Sequence, residues 1–268
     1  MKYKVIIIFF NVFMLLLFLT LFFLPITVLG WGYISKFWID NWFLPIIFFA
    51  IILIINLFFV FNWSIIKYTE RGNWDGIINI VEKRIYEKNM ITYPNVRLLA
   101  HSYFLLGKEI KIKKLENYVK SKKKSIYNKA FLMFCCAHLI SDSNDSLKIY
   151  FEEAINNKAL KGMNWILICY AFVLISGKEF DKVLLILDKI GKVKNNPVLE
   201  LTKLYFMFIA SKHEDHENII RQKEGFVKKV SALKFAKHFE IEKGEIHILF
   251  LSKIISHAKE WAYKSQSA

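Results

Sequence analysis

The sequence predicts an all-α protein in which two membrane-spanning helices are followed by a domain of repeated helix pairs. Three observations carry this prediction. Two long stretches near the start of the chain, residues 5–30 and 41–66, contain no charged residue. After residue 62, apolar residues recur at steps of three and four, which is helical spacing, and no convincing alternating strand pattern is found. Turn-forming residues in this second part recur with a period close to that of known helix-pair repeats.

The two uncharged stretches are long enough to cross a bilayer. A helix needs about 20 mostly apolar residues to span a hydrocarbon core of about 30 Å. This predicts spans at about residues 5–29 and 43–63, within a hairpin domain of residues 1–66. The alternative for the first stretch is a cleaved signal peptide that begins with Lys2 and Lys4. Its apolar run exceeds the roughly 7–15 residues of such peptides and no small-residue cleavage motif follows, so we expect an uncleaved anchor.

The residues that flank the stretches predict the orientation of the hairpin. Lys36 and Asp40 are the only charged residues between the spans, so the link is a short loop. Aromatic residues that favour the membrane–water interface surround them, and basic residues flank the outer ends. The positive-inside rule then places both termini, and with them the repeat domain, in the cytoplasm at the inner membrane of a bacterium. The aromatic residues are Trp31, Tyr33, Trp38 and Trp42, and the basic ones are Lys2, Lys4, Lys67, Arg71, Lys83, Arg84 and Lys88.

A few polar or reactive residues lie within apolar segments. Asn11 and Asn56 are the most polar residues of the two spans, and we expect them to hydrogen-bond across the hairpin. Because neither span contains a charge, nothing in them indicates a transport path. The three cysteines, Cys135, Cys136 and Cys169, have no C-x-x-C spacing, so we expect buried packing residues rather than a disulfide framework or a metal site.

The second part of the chain has a period that matches helix pairs. Gly72 and Gly107 lie one period apart, Gly177 lies two periods further on, and Asp142 occupies the intermediate position in a polar turn. An apolar helical segment precedes each of these turns and a second helical segment follows it. A further pair begins at Pro197 and a last one covers residues 235–261, which gives five to six pairs in residues 67–268. Pro94 and Pro197 each fit the first turn of a helix.

Around these turns the sequence resembles the tetratricopeptide family, whose helix pairs repeat about every 34 residues. The segment from Gly72 to Ile78 is similar to that family's turn glycine, aromatic residue and small-then-aliphatic pair. The segment from Gly177 to Leu184 is similar with one extra residue, while Tyr68 and Tyr103 match the aromatic residue before the turn. The resemblance departs from the family at Ile77 and Val183, where a small residue is expected. It implies an α-solenoid, with Tyr103 and Phe180 buried in its core.

In the tetratricopeptide family the first helices of successive pairs line a concave groove that binds a partner. The resemblance therefore implies a groove here, and its positions are largely apolar. An amphipathic helix or a neighbouring copy of the chain would suit such a surface better than a charged peptide. The residues that the register places in the groove or at its edge are Arg97, His101, Phe104, Lys129, Met133, Asn164, Ile168, Lys203 and Phe206.

A basic segment offers a second candidate surface on a chain whose net charge is +15. Residues 108–129 contain nine lysines, and Lys120, Lys122, Lys123 and Lys124 are the densest group. One interpretation is a contact for anionic lipid or an acidic partner. The other is a solvated face, since lysine is frequent along the whole chain. Nucleic acid is not expected, because the aromatic residues of a stacking platform are sparse here.

No motif indicates catalysis, a cofactor or a metal. The cluster His213–Glu217 has its histidines three residues apart, whereas the H-E-x-x-H zinc motif needs them four apart on one helical face. Phosphate-binding glycine loops and the G-x-S-x-G elbow are missing from the sequence. His101 and His138 lie on apolar helical faces and are interpreted as core or groove residues.

These patterns predict a membrane-anchored scaffold whose repeats bind another protein, rather than an enzyme. Two protein types share the layout by analogy. One is the HemY-like group, with a membrane hairpin followed by repeats. The other is the set of repeat proteins that build the collar of spirochaete-type flagellar motors, and these place their repeats in the periplasm. A membrane enzyme would need convergent polar residues in one cleft, which the sequence does not indicate.

Overall fold

The computed structural model describes residues 2–191, 193, 195–211 and 216–264, and all regular elements in those ranges are helical. The chain divides into two compact units, Met1–Ile80 and Val81–Ala268. This division lies beyond the predicted hairpin boundary at residue 66. Each unit is described by itself below.

The first unit contains a helical hairpin. Helices α1 (Lys2–Leu29) and α3 (Phe43–Glu70) are joined by a 3₁₀ turn (Trp31–Tyr33) and by α2 (Ile34–Asp40). Asn11 and Asn56 form the predicted pair: each side-chain amide donates to the other's oxygen, at 3.2 and 2.9 Å. In length and composition, the segments Ile7–Val28 and Phe43–Glu70 could each cross a membrane, and within each the most apolar window has no buried residue.

The hairpin's second helix continues without a break into the region predicted as the first repeat. After α3 the chain turns at Gly72, which has a φ of +64°, and enters α4 (Trp74–Glu82). A Cβ added at Gly76 would lie 2.7 Å from the ring of Tyr68. Only glycine therefore allows this close approach of α4 to α3.

The second unit begins within α4, and its described residues form ten further α-helices. Side chains of Thr92, Ser143, Asn196 and Ser231 cap four of them by accepting a hydrogen bond from a first-turn N–H. Pro94 and Pro197 lie in the first turns of their helices, as predicted. After a short π-helix at Lys83–Glu87 the helices are α5 (Tyr93–Leu105), α6 (Glu109–Lys122), α7 (Lys124–Ser141), α8 (Asn144–Ile155), α9 (Met163–Ser176), α10 (Phe180–Asp188), α11 (Pro197–Ala210), α12 (His216–Lys229), α13 (Ala232–Glu242) and α14 (Ile246–Tyr263).

The helices from α5 to α12 pack in chain order. Neighbours along the chain contact one another, and α5, α7, α9 and α11 also contact each other in series. Because most connections are short, neighbouring helices are antiparallel and alternate helices run in the same direction. The core between them holds Tyr103, Phe134, Phe151 and Phe206, each less than 2% exposed.

Two aromatic residues test the predicted register in detail. Tyr103 is buried, which confirms that part of the prediction. Phe180 is 39% exposed, so its predicted burial is wrong. The physical reason lies in the α9–α10 turn, where Lys178 rather than Gly177 takes the left-handed conformation (φ +58°). Phe180 then begins α10 at the surface. The three cysteines are free and buried, as predicted.

The last helix folds back over the preceding ones. α14 packs on α7 and α11. It also contacts α9, where the ring of His247 on α14 lies 5.0 Å from the ring of Trp165, measured between centroids. Leu251 and Ile255 on its inner side are at most 1% exposed. α14 thus covers the side of the domain formed by the first helices of successive pairs.

Candidate functional site

The predicted groove is largely closed by the chain itself. Met133, Ile168 and Phe206 are 4%, 0% and 1% exposed, so their assignment to an open partner-binding face is wrong. Their helices, α7, α9 and α11, all contact α14, which occupies the space that the prediction left for a partner. Apolar surface of this kind is unstable in water, and an intramolecular helix removes it from solvent.

Lys203, another predicted groove residue, has a structural role. Its ammonium donates a hydrogen bond to the carbonyl oxygen of Ile190, at 2.7 Å, just beyond the end of α10. Burial lowers the pKa of Lys203, against the opposing charges of Asp188 and Glu200. Its hydrogen bond satisfies a carbonyl in the turn that follows α10 and links that turn to α11.

The remaining predicted positions lie in different places. Lys129 and Asn164 are exposed and Phe104 is half-buried. The structure brings Arg97 and His101 together on α5, in one cavity, and none of the other predicted residues lines it.

This cavity, which we call the α5 pocket, has a volume of about 370 Å³. Arg97 crosses its edge and forms an ion pair with Glu245, the residue before α14, at 2.8 Å between Nη2 and Oε1. The two side chains are 44% and 37% exposed, so the pair contributes about 0–1 kcal/mol and can be exchanged for a partner's charge. The pocket is lined by Tyr93, Pro94, Arg97, Leu98, His101 and Gly244.

His101 gives the α5 pocket a neutral polar group. Burial lowers its pKa, and the nearby charge of Arg97 lowers it further, while Glu245 acts in the opposite direction. A neutral imidazole offers one donor and one acceptor. The pocket can therefore receive an apolar side chain against Leu98, beside the neutral imidazole of His101.

The predicted basic segment borders a second cleft, of about 360 Å³. Lys120 and Lys124 stand at its rim, above the rings of Tyr127 and Phe131. The Lys120 ammonium lies 5.5 Å from the centre of the Tyr127 ring, in cation–π geometry. Lys122 and Lys123 are exposed beside them.

A buried polar network, which the sequence did not reveal, lies between α6, α7 and α8. The imidazole of His138 is held between two carboxylates, with Nε2 2.7 Å from Glu116 and Nδ1 2.6 Å from Asp142. Lys113 pairs with Asp142, and the hydroxyl of Tyr150 donates to Glu116 at 3.0 Å. The ring of Tyr150 also stacks on His138, 4.2 Å away between centroids.

The network favours the charged forms of His138 and Asp142. Burial alone would lower the pKa of His138, but the hydrogen bonds to Glu116 and Asp142 outweigh it and the pKa is raised. Burial acts to raise the pKa of Asp142, but the hydrogen bonds from Lys113 and His138 outweigh this effect, so the pKa of Asp142 is lowered. When His138 is protonated, two cations balance two carboxylates, which is the condition for holding charges away from water. This arrangement can hold α6, α7 and α8 in place relative to one another.

The histidine–acid cluster predicted as a loop falls mostly outside the described residues. His213, Glu214 and Asp215 are not among them, whereas His216 begins α12 and its ring lies 4.7 Å from that of Phe208. Within the described ranges, no group of three or more His, Cys, Asp or Glu could hold a metal ion.

Comparison with known proteins gives a family for the chain. A model described as "Uncharacterised Treponema protein" matches residues 111–264. The chain belongs to this Treponema family. An uncharacterized protein of Treponema pallidum (strain Nichols) is 24% identical over 211 residues, which covers 77% of this chain and 66% of that protein, just under two thirds of its length. No solved structure matches.

The matched region bears on the candidate surfaces. The part matched by the Treponema family model starts within α6. It includes the whole polar network, all of α14 and nearly all of the basic segment. The α5 pocket lies mostly before it, since Gly244 is the one lining residue inside the match.

Proposed function

We propose that this protein is a membrane-anchored scaffold whose helical domain is a tetratricopeptide-like solenoid that binds another protein at the inner membrane. The observation that carries the proposal is the combination of α1 and α3, whose apolar side chains are exposed along their length, with a body of helices packed in chain order. Exposed apolar surface of this extent is typical of a membrane or protein contact.

The solenoid part of the proposal is supported by two local features. The helices α5, α7, α9 and α11 contact one another in series, as the first helices of stacked pairs would. Gly72 and Gly107, one period apart, have positive φ angles of 64° and 62° at the predicted turns. Stacked pairs share one continuous core, which buries the apolar faces that a single pair would leave exposed.

The α5 pocket is the part of the predicted groove that remains open, and we assign the partner contact to it. Arg97 carries a charge held by an exposed ion pair, and Leu98 offers apolar surface beside the neutral imidazole of His101. These groups suit an amphipathic helix that carries an acidic residue beside its apolar side.

Site-specific photo-crosslinking in cells tests this function with the full-length chain. A photoreactive amino acid at Leu98 should give an adduct with a specific protein, while the same amino acid at the exposed Lys182 on α10 should not. The substitution Arg97→Glu should abolish the Leu98 adduct, because the partner's acidic residue would then be repelled. Adducts that are identical at both positions, or that survive Arg97→Glu, would contradict a partner site at the α5 pocket.

A second candidate function is a collar-type assembly around a flagellar motor. The observation that favours it is the match to Treponema proteins, since Treponema species are spirochaetes. This candidate places the helical domain in the periplasm, so the side of the membrane that carries residue 268 separates the two candidates.

A further inference from the structure

The two ends of the helical domain differ in charge. Because neighbouring helices are antiparallel, one end carries the turns within pairs and the other carries the connections between pairs. The connection end, which we call the basic face, presents exposed lysines from three places: the α6–α7 connection, the α8–α9 connection and the end of α12. These residues are Lys122, Lys123, Lys158, Lys161, Lys228 and Lys229.

Contacts place the α6–α7 and α8–α9 connections beside one another and the end of α12 beside the start of α11. The backbone N–H of Lys161, in the α8–α9 connection, donates to the carbonyl of Asn128 near the start of α7, at 3.0 Å. The cleft below Lys120 is also lined by Asn157 of the α8–α9 connection. At the end of α12, the charge of Lys229 acts on Glu200, in the first turn of α11. Since α7, α9 and α11 run in the same direction, their first residues belong to the same end.

Within the described part of the chain, the six lysines of the basic face form no ion pair, and the carboxylate nearest in effect is Glu200, on which the charge of Lys229 acts. Among the described residues, no carboxylate lies within 4 Å of the ammonium groups of the six lysines. The opposite end is different: Glu179 there pairs with Lys148 at 2.5 Å and with Lys182 at 2.6 Å. Asp142 at that end pairs with Lys113.

An apolar side chain projects next to these lysines. Leu233, in the first turn of α13, is 83% exposed, the highest value among the exposed large apolar residues described. It follows Lys228 and Lys229 by only a few residues, and Lys234 next to it is exposed as well. Lysines that surround a protruding leucine are typical of segments that lie on anionic membranes, where the apolar group enters the headgroup region.

We propose that the basic face docks onto an anionic lipid bilayer, with Leu233 inserted among the headgroups. Each lysine near such a surface strengthens binding about fivefold, and the attraction acts only within a Debye length, about 8 Å at physiological salt. Nucleic acid fits less well, because base stacking needs exposed aromatic rings and Tyr127 and Phe131 beside these lysines are 6% and 2% exposed. This contact is additional to the scaffold function and does not depend on the α5 pocket.

The test uses the full-length protein in nanodiscs made only of zwitterionic phosphatidylcholine, so that the hairpin is embedded and the basic face meets no anionic lipid. Vesicles of pure phosphatidylcholine, or with one or two lipids in five replaced by phosphatidylglycerol, are added, and bound nanodiscs are measured by flotation. We expect binding to appear with phosphatidylglycerol, to rise with its fraction, and to fall at least tenfold between low salt and several times physiological salt. Leu233→Ser should weaken binding several-fold at every salt concentration.

A matched pair of double variants identifies the surface. Lys228→Gln with Lys229→Gln should weaken vesicle binding about 25-fold, while Lys178→Gln with Lys182→Gln, which removes the same charge from the opposite end, should change it less than twofold. Equal melting temperatures show that neither pair unfolds the domain.

Three outcomes would overturn the proposal. The first is an equal effect of the two double variants, and the second is an absence of binding to the vesicles richest in phosphatidylglycerol at the lowest salt. The third is binding to an acidic polypeptide such as polyglutamate but not to the vesicles, which would assign the basic face to an acidic protein.

Discussion

At the scale of single residues, the His138 network carries the largest electrostatic consequence. Glu116 and His138 have side-chain exposures of 6% and 16%, so water screens their attraction weakly. A buried pair of this kind adds little over apolar packing, but loss of one member leaves the other charge without a partner. The packing of α6, α7 and α8 against one another therefore depends on the charges of the network residues.

Replacement of His138 by Gln should destabilise the protein in a pH-dependent way. The pKa of His138 is raised in the folded state. Protonation of His138 therefore stabilises the fold fully when the pH is below the unfolded-state pKa of about 6.5. This stabilisation is lost as the pH rises through the higher folded-state pKa. We expect His138→Gln to lower the free energy of unfolding by about 1.5–3 kcal/mol at pH 6 and by less at pH 9. Denaturant titration of the full-length protein in detergent measures both.

A control for this prediction comes from an exposed ion pair. Arg221 and Glu217 pair at 3.7 Å with side chains 79% and 85% exposed, so Arg221→Gln should change stability by less than about 0.5 kcal/mol at either pH. A loss in His138→Gln that is the same at pH 6 and pH 9 would show that the imidazole acts by packing alone.

Sequence patterns did not predict this network, although two of its members are close together in the chain. His138 and Asp142 are four residues apart at the end of one helix, a spacing that predicts contact. Glu116 is 22 residues from His138 and 34 from Tyr150, so only the packing of three helices brings it there. Phe180 shows the same limit, since one extra turn residue was enough to put an expected core ring at the surface.

At the scale of elements, α14 decides which surfaces of the domain are available. It covers α7, α9 and α11 and leaves the α5 pocket open at its beginning, where Glu245 meets Arg97. His247 supports this placement: it is 7% exposed, and burial lowers its pKa to about 4. It is neutral at pH 7 and can lie against Trp165 without a counter-charge.

Truncation of a buried side chain on α14 should destabilise the whole domain. Leu251 is fully buried, so Leu251→Ala should lower the free energy of unfolding by about 2–5 kcal/mol, through lost burial and the cavity left behind. Lys259→Ala, on the exposed side of the same helix, should cost less than about 0.5 kcal/mol. Thermal unfolding of the two variants measures this. Similar melting temperatures for both would mean that α14 is not docked in solution.

Helical periodicity predicted most elements but not the place of α14. Apolar spacing, turn glycines and prolines locate helices because these signals are local. The Asn11–Asn56 contact was also predictable, because few polar residues occur in the spans and they seek each other in an apolar environment. A stack of helix pairs must cover its last apolar face. The final helix could cover the last apolar face at the end of the stack, or it could lie across the predicted groove. Which of these occurs depends on contacts between distant parts of the chain, such as that of Arg97 with Glu245, 148 residues apart.

At the scale of the whole molecule, the distribution of charge affects both the expected orientation of the hairpin and the proposed docking of the basic face. Apart from Lys2, Lys4, Lys36 and Asp40, all charged residues follow the second apolar stretch, and the chain as a whole carries a net charge of +15. The first basic residues after that stretch, Lys67 and Arg71, bear on the orientation of the hairpin. The docking of the basic face requires anionic lipid on the side where the helical domain lies, and the cytoplasmic leaflet supplies a negative surface potential.

The proposed membrane anchor leads to a prediction of the side of the membrane on which the helical domain lies. We expect a cytoplasmic domain, because basic residues flank the outer ends of both apolar segments and only Lys36 and Asp40 lie between them. A reporter enzyme active only outside the cytoplasmic membrane should give no signal when fused after Ala268 and a strong signal when inserted at Gly32, in the link. A reporter active only in the cytoplasm should give the reverse at both positions. A strong external signal after Ala268 would contradict the positive-inside prediction and place the domain in the periplasm, where the collar-type function becomes the better proposal.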